Sequence, residues 1–296
     1  MAEAATETLP KLDPVGPAAG PDAGAPAESG DVPTEAEVEE QRAARVVGYP
    51  RPLVFLHIPK AAGTTLQSFI MQHYRKGVRA YRFTGSREQL EKFRTMPQAQ
   101  RDSFDLLLGH VNYGIHELVS APATYLTMLR DPVERIISHY YFILAHPEHY
   151  LHTYVAGRGY TLHEYATAGL NQEGDNNHVR WLTPRLHTEV PLGQVTRGML
   201  EEAKWNLANG VSVFGLAERF TDSLRCFAAA FGWDPVPPRK RLNVNRARPK
   251  QDQVAPETIE AIRDSNRYDV ELHEYAKALF EEQMVRLSVR PLKSEG

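Results

Sequence analysis

The chain has 296 residues, 42% hydrophobic and 24% charged, with one cysteine and a formal charge of −3. That length and apolar share support one large domain or two small ones, while a lone cysteine excludes an internal disulfide scaffold and a cysteine-built zinc site. The longest apolar runs, such as Leu53–Leu56 and Leu106–Leu108, fall far short of the ~20 residues of a membrane-spanning helix.

Charge is spread unevenly. Residues 1–40 hold ten acidic side chains and one basic, Lys11, a net of −9; the remainder has 33 Lys+Arg against 27 Asp+Glu, or +6. The same stretch carries nine Ala, six Pro, four Gly and no aromatic residue, too little apolar surface to offset the entropy of ordering. We therefore expect a disordered, acidic, Ala/Pro-rich tail over 1–45 and one folded domain over 46–290. The mildly basic domain suits an anionic ligand, and with no basic stripe or nucleic-acid motif it gives no reason to expect nucleic acid. With no leader-like segment and no apolar span, a cytoplasmic protein without a membrane partner is expected.

Leu53 to Ile58 is an apolar run of strand length closed by Pro59, and Leu66, Phe69, Ile70 and His73 follow at helical spacing. Ser86 to Gln89 has capping-box form ahead of Leu90 and Phe93, and Pro97 ends that helix. Phe104–Leu108 and Ala123–Leu129 read as buried strands. Asp131 and Pro132 then start a helix as N-cap and first residue, with Glu134 completing the turn and the apolar pattern running to about Ala145. Thr161 to Glu164 forms a second capping box, with Gly169 as C-cap. A helix over 197–208 leads to Gly210 and a strand over Val211–Phe214. Amphipathic helices follow over Thr221–Phe231 and Asn266–Met284, separated by a basic, proline-flanked loop over Arg239–Lys250. Strands alternating with helices predict an α/β fold: a P-loop-like parallel sheet flanked by helices on both faces, with a more helical C-terminal half.

Two strand–loop–helix junctions carry chemistry. In the first, Pro59-Lys-Ala-Ala-Gly-Thr-Thr65 joins a strand to a helix whose N-terminal N–H groups attract an anion. Gly63 lets backbone approach it, Thr64 and Thr65 add hydroxyls, and Lys60 adds a full charge. The lysine precedes the glycine by three, unlike a Walker loop; taken alone, the stretch also fits a plain turn with an exposed lysine. In the second, Arg130 ends a strand at the carboxyl edge, where open α/β sheets bind ligands, and offers a bidentate fork to phosphate. Ser138 lies eight residues on, about two helical turns, so it reaches the same ligand only if its helix passes beside the loop. Glu134 and Arg135 fit a solvated pair, and Tyr140 and Tyr141 fit the core.

Together these segments resemble the two cofactor motifs of sulfotransferases that use 3′-phosphoadenosine 5′-phosphosulfate (PAPS), above all the carbohydrate branch that includes the heparan sulfate and uronyl 2-O-sulfotransferases. The resemblance covers about residues 50–285. It implies that Lys60, Ala61, Ala62, Gly63, Thr64 and Thr65 hold the 5′-phosphosulfate and that Arg130 and Ser138 hold the 3′-phosphate. Gly109-His110-Val111 is similar to the segment that carries the family's catalytic base, which implies His110 as base with Lys60 stabilising the leaving phosphate. Asn177–Leu182, Gly215–Phe220 and Tyr268–Leu272 also resemble family segments, and Arg246 lies in a stretch similar to the loop that closes over the nucleotide. Where the 2-O branch has a second histidine two positions before its base, this chain has Leu108.

The resemblance implies transfer of a sulfuryl group from PAPS to a hydroxyl acceptor, here expected to be a carbohydrate, by in-line displacement. A histidine titrates ordinarily near 6.5 and serves as a base near neutral pH. No metal is expected, because lysine and arginine neutralise the cofactor. His57 and His139 are expected to be structural, as is Cys226 in an apolar setting, and the nearby His146, His149 and His152 lack a carboxylate set for a metal. Arg180 either faces an anionic acceptor or stacks on Trp181. The alternatives are a P-loop nucleotide kinase, disfavoured by the displaced lysine, and a nucleotide-binding protein without turnover. The acceptor's identity and the oligomeric state are not readable from these residues.

Overall fold

The computed structural model describes residues 52–74, 78–184, 189–233, 249 and 251–291. The 1–45 tail, Arg246 and all of the 239–250 loop but Pro249 lie outside the described residues.

Five parallel strands form one sheet: β1 (Leu53–Leu56), β2 (Ala80–Thr84), β3 (Leu106–His110), β4 (Thr124–Leu129) and β5 (Val211–Leu216), in spatial order β2-β3-β1-β4-β5. The helices in chain order are α1 (Gly63–His73), α2 (Arg87–Arg94), α3 (Gln98–Arg101), α4 (Pro132–Ala145), α5 (His152–Val155), α6 (Leu162–Thr167), α7 (Asn177–Trp181), α8 (Arg197–Trp205), α9 (Phe220–Phe231), α10 (Pro256–Ser265) and α11 (Arg267–Arg286). Every residue of β1 is buried, as a central parallel strand with helices packed on both faces requires. Beyond β5 the described chain is helical.

The local signals held where they were strongest. Ser86 accepts from the Gln89 N–H, and Asp131 caps α4 with Pro132 in its first turn. Thr161 and Glu164 cap one another reciprocally. Strand β2 was not read from sequence: it is an edge strand whose Ala80, Arg82 and Thr84 are exposed, so it lacks an apolar run. The third strand lies two residues later than the predicted 104–108, which makes His110 its last residue rather than the first one after it. α7 is too short to show a period, and α10 buries only Thr258 and Ile262. α8 ends at Trp205, and a wider π-type turn over Asn206–Gly210 enters β5.

From β1 the chain first crosses to β2 and returns through β3 on one side; from β3 it jumps over β1 to β4 and β5 on the other. The reversal places a topological switch point beside β1, where open α/β sheets bind ligands at the carboxyl ends of the strands. Both candidate phosphate junctions, after β1 and after β4, meet there.

Candidate active site

Leu56 at the end of β1 is in register with Gly109 of β3 and Thr127 of β4. The buried Thr127 hydroxyl donates to the Leu56 carbonyl at 2.8 Å, tying the two phosphate junctions together at their base. Beyond Leu56, the backbone of Lys60 (φ 65°) and Ala62 (φ 62°) is left-handed, while Ala61 and Gly63 are not. Residues other than glycine avoid that region at a cost of about 1–3 kcal/mol each, and such positions cluster at ligand sites. Alternating hands along successive residues turn N–H groups toward a common point, as in an anion-binding nest, while the Ala61 N–H is taken by the Ile58 carbonyl at 3.4 Å. α1 begins at Gly63, without an acidic residue in its first turn, so its positive end is not neutralised locally. Thr64 is exposed and Thr65 buried.

Gly63 is required by packing. A Cβ there would lie 1.9 Å from the His57 ring, and that ring stacks on Phe55 at 5.3 Å and on His110 at 4.6 Å. Gly63→Ala is expected to destabilise the fold by about 1–3 kcal/mol, read as a lower denaturant midpoint; an unchanged midpoint would show that His57 has room to move. Burial first, and then His110, Arg82 and Lys60, push the His57 pKa down to about 3, so this imidazole is neutral at physiological pH. His57 is thus the packing element expected from sequence.

His110 is half-buried at the end of β3. Its Nδ1 lies 2.9 Å from the His57 carbonyl oxygen. A carbonyl only accepts, so in this bond Nδ1 carries the proton, and in the neutral ring Nε2 keeps its lone pair. The ring sits between His57 and Trp181, whose ring is 6.0 Å away. Gly109 makes the approach possible: its φ is +116°, and a Cβ would lie 2.1 Å from the Phe83 carbonyl oxygen.

Arg130 follows β4. Its Nη1 donates to the Lys60 carbonyl at 3.1 Å and its Nη2 to Glu134 at 3.0 Å, so the guanidinium braces the strained loop directly. The Lys60 ammonium lies 3.5 Å from the centre of the Phe142 ring on α4. Glu134, Ser138 and Phe142 are spaced by four on α4, a single helix face. Glu134 reaches Arg130 and Phe142 reaches Lys60, so the helix runs beside the loop, with Ser138 on the same face between those contacts.

The readings of Arg135 and Arg180 change, whereas those of His139, Tyr140 and Cys226 hold. Arg135 is not a solvated partner of Glu134: it is fully buried, and its Nη2 donates to the Glu173 carbonyl at 2.7 Å. Arg180 is also fully buried, bound to the Asp175 carboxylate and to the Asp175, Val190 and Pro191 carbonyls, which makes it structural. His139 is a buried partner of Tyr165 (2.6 Å) and Glu173 (2.8 Å). Tyr140 is buried, and its hydroxyl donates to the Tyr160 carbonyl at 2.7 Å. Cys226 is buried, and desolvation raises its thiol pKa to about 11. Among the described residues no group of three or more His, Cys, Asp or Glu side chains is placed to hold a metal ion, and no helix is long and apolar enough to cross a membrane.

Sequence reasoning gave no role to His178 and Asp269, although both lie in segments singled out above. The Asp269 carboxylate accepts from the backbone N–H groups of His178 (2.9 Å) and Val179 (3.0 Å), capping α7, and from His178 Nδ1 (3.1 Å). In return, Asn176 Oδ1 accepts from the N–H groups of Tyr268 (2.9 Å) and Asp269 (3.2 Å) at the start of α11. His178 Nε2 accepts from the Arg130 N–H at 3.4 Å. The available signals were an asparagine just ahead of α7 and an aspartate in the first turn of α11.

The family model described as "Sulfotransferase family" matches residues 48–276. Heparan-sulfate 6-O-sulfotransferase 2 of Danio rerio is 42% identical over 82 residues, 28% of this chain and 17% of that protein. Heparan-sulfate 6-O-sulfotransferase 1 of Homo sapiens is 29% identical over 182 residues, 53% of this chain and 43% of that protein. The chain thus spans less than half the length of these curated relatives. The crystal structure of mouse sulfotransferase SULT7A1 complexed with PAP aligns with a TM-score of 0.37 and 13% identity, over 84% of this chain and 89% of that one.

Proposed function

The chain belongs to the sulfotransferase family, and we propose that it moves a sulfuryl group from PAPS to a hydroxyl of a carbohydrate acceptor, with His110 as base. The observation that carries this reading is the convergence at one sheet edge of a strained nest at Lys60–Gly63, an arginine braced on that nest, and a histidine whose Nδ1 is tied to the His57 carbonyl. Family membership supports the donor; the names of the two relatives support a carbohydrate. Those relatives are 6-O enzymes and Leu108 stands where the 2-O branch has a histidine, so the 2-O character expected from sequence has no support beyond the motifs, and the reading commits to no ring position.

The donor, when bound, supplies the sulfuryl group and a bisphosphate leaving group. The residues present fit it: the nest and the N-terminus of α1 offer N–H groups to the 5′ side, and Arg130 with Ser138 offers donors to a 3′-phosphate. His110 Nε2 takes the proton of the acceptor hydroxyl as the new oxygen–sulfur bond forms and the bond to the 5′-phosphate oxygen breaks. Lys60 and the loop N–H groups stabilise the charge that develops on that oxygen, the electrostatic contribution that dominates such in-line transfers. Histidine, lysine and arginine account for every proton and charge in this scheme, which is why we propose no metal.

Calorimetric titration with adenosine 3′,5′-bisphosphate in EDTA tests the donor. Micromolar binding, about −8 kcal/mol, is expected, and Arg130→Ala should weaken it by roughly tenfold to a hundredfold, the range for hydrogen bonds to a charged group. No binding, or a preference for ATP with magnesium, would overturn the sulfotransferase reading in favour of a kinase.

A further inference from the structure

Strand β4 ends at Leu129, so the Arg130 N–H lies beyond its ladder. It is taken up by a side chain instead. The Arg130 N–H donates to His178 Nε2 at 3.4 Å, and His178 Nδ1 donates to Asp269 at 3.1 Å. One turn further along the same helix, α11, His273 Nε2 donates to the Glu218 carboxylate at 2.5 Å. Asp269 and His273 are four residues apart on α11 and face the same way. One helix face, reached far along the chain, therefore holds the Arg130 amide through one intervening side chain.

That amide belongs to the peptide plane that enters the Arg130 Cα. Fixing this plane restricts the direction in which the side chain leaves the backbone, before any contact the guanidinium makes itself. We propose that His178 is a positioning residue that aims Arg130, so that selectivity for a 3′-phosphorylated nucleotide depends on helix α11. This inference rests on the reading of Arg130 as the 3′-phosphate residue.

His178 is suited to the task only in one tautomer. Asp269 accepts from two backbone N–H groups and from Nδ1–H, and a carboxylate with that set of donors keeps the proton on Nδ1 and leaves Nε2 as acceptor. An asparagine at 178 retains a donor toward Asp269 but has no atom where Nε2 was. A glutamine places its amide oxygen there.

The experiment compares adenosine 3′,5′-bisphosphate with adenosine 5′-monophosphate, which differ only in the 3′-phosphate, by calorimetry on wild type, His178→Asn and His178→Gln. Wild type should prefer the bisphosphate, His178→Asn should lose roughly tenfold of that preference, about one hydrogen bond's worth, and His178→Gln should keep it. A general loss of fold lowers both affinities together and leaves their ratio unchanged. If His178→Asn retains the full ratio, or His178→Gln loses as much, the positioning role is wrong while the proposed function stands. If wild type itself does not distinguish the two nucleotides, the reading of Arg130 fails first. Should His178→Asn not fold, the ratio is read on His178→Leu beside His178→Gln, whose amide oxygen still accepts from Arg130; an equal ratio in both overturns the proposal.

Discussion

His110→Ala is expected to lower kcat by about 10²–10⁴-fold, the usual contribution of a positioned general base, while adenosine 3′,5′-bisphosphate binds as in wild type. The proposed base sits at the end of β3, whereas the proposed phosphate contacts follow β1 and β4. It is also oriented before any ligand arrives: the His57 carbonyl holds Nδ1, and the stacked ring of His57 supports one face. His57 stays neutral because its pKa is pushed down to about 3, so it does not compete as a second cation beside the base. Glutamine at 110 should be nearly as inactive as alanine, since an amide does not take up a proton near neutral pH. The measurement is a single-turnover rate with saturating donor, set beside the calorimetric affinity. Retention of more than a tenth of the rate would remove His110 from the mechanism. A parallel loss of nucleotide binding would reassign it to the cofactor.

Asp269→Ala is expected to cost about 3–5 kcal/mol of stability, the range for removing one member of a fully buried charge group. Asp269 is 0% exposed and serves three N–H donors at once. Its carboxyl pKa is held low: burial opposes ionisation, but His178, Arg135 and the bound N–H groups outweigh it. Alanine would orphan those donors and leave Arg135, fully buried itself, without that counter-charge. Asparagine should cost less, because its oxygen in the place of Oδ2 still accepts from the His178 N–H and Nδ1, and only the Val179 N–H is left facing the amide N–H₂. The sign with pH follows from linkage. A carboxyl whose folded pKa is depressed contributes its stability above the unfolded value near 3.9 and loses it as pH falls below that. The gap between wild type and Asp269→Asn should therefore narrow below about pH 4. Denaturant unfolding with an unchanged m-value measures both; a loss under 1 kcal/mol for alanine would show that the site relaxes around the missing group.

Legibility in the sequence followed the range of the interaction. Lys60, Gly63, Arg130 and the caps at Ser86, Asp131 and Thr161 are signalled by neighbours within four residues, and the structure shows those junctions and caps. Arg180 and Arg135 were open to surface readings, because a guanidinium looks the same in sequence whether water or carbonyls satisfy it. Strand β2 escaped because an exposed edge strand has no apolar face to announce it.

The sequence by itself determined that strands and helices alternate, where the phosphate-type junctions fall and which side chains they carry, since turn chemistry, capping and apolar spacing are local properties. Only the tertiary structure decided that the junctions after β1 and β4 lie side by side with the end of β3 against them, because that depends on the strand order β2-β3-β1-β4-β5. The same holds for the tautomer of His110, set by a carbonyl 53 residues away, and for the partnership of His178 with Asp269, 91 residues apart. Burial removes water as the competing partner, so a polar group must take whatever donor or acceptor packing brings within reach. Which one that is depends on the register of the whole fold and not on any stretch of chain.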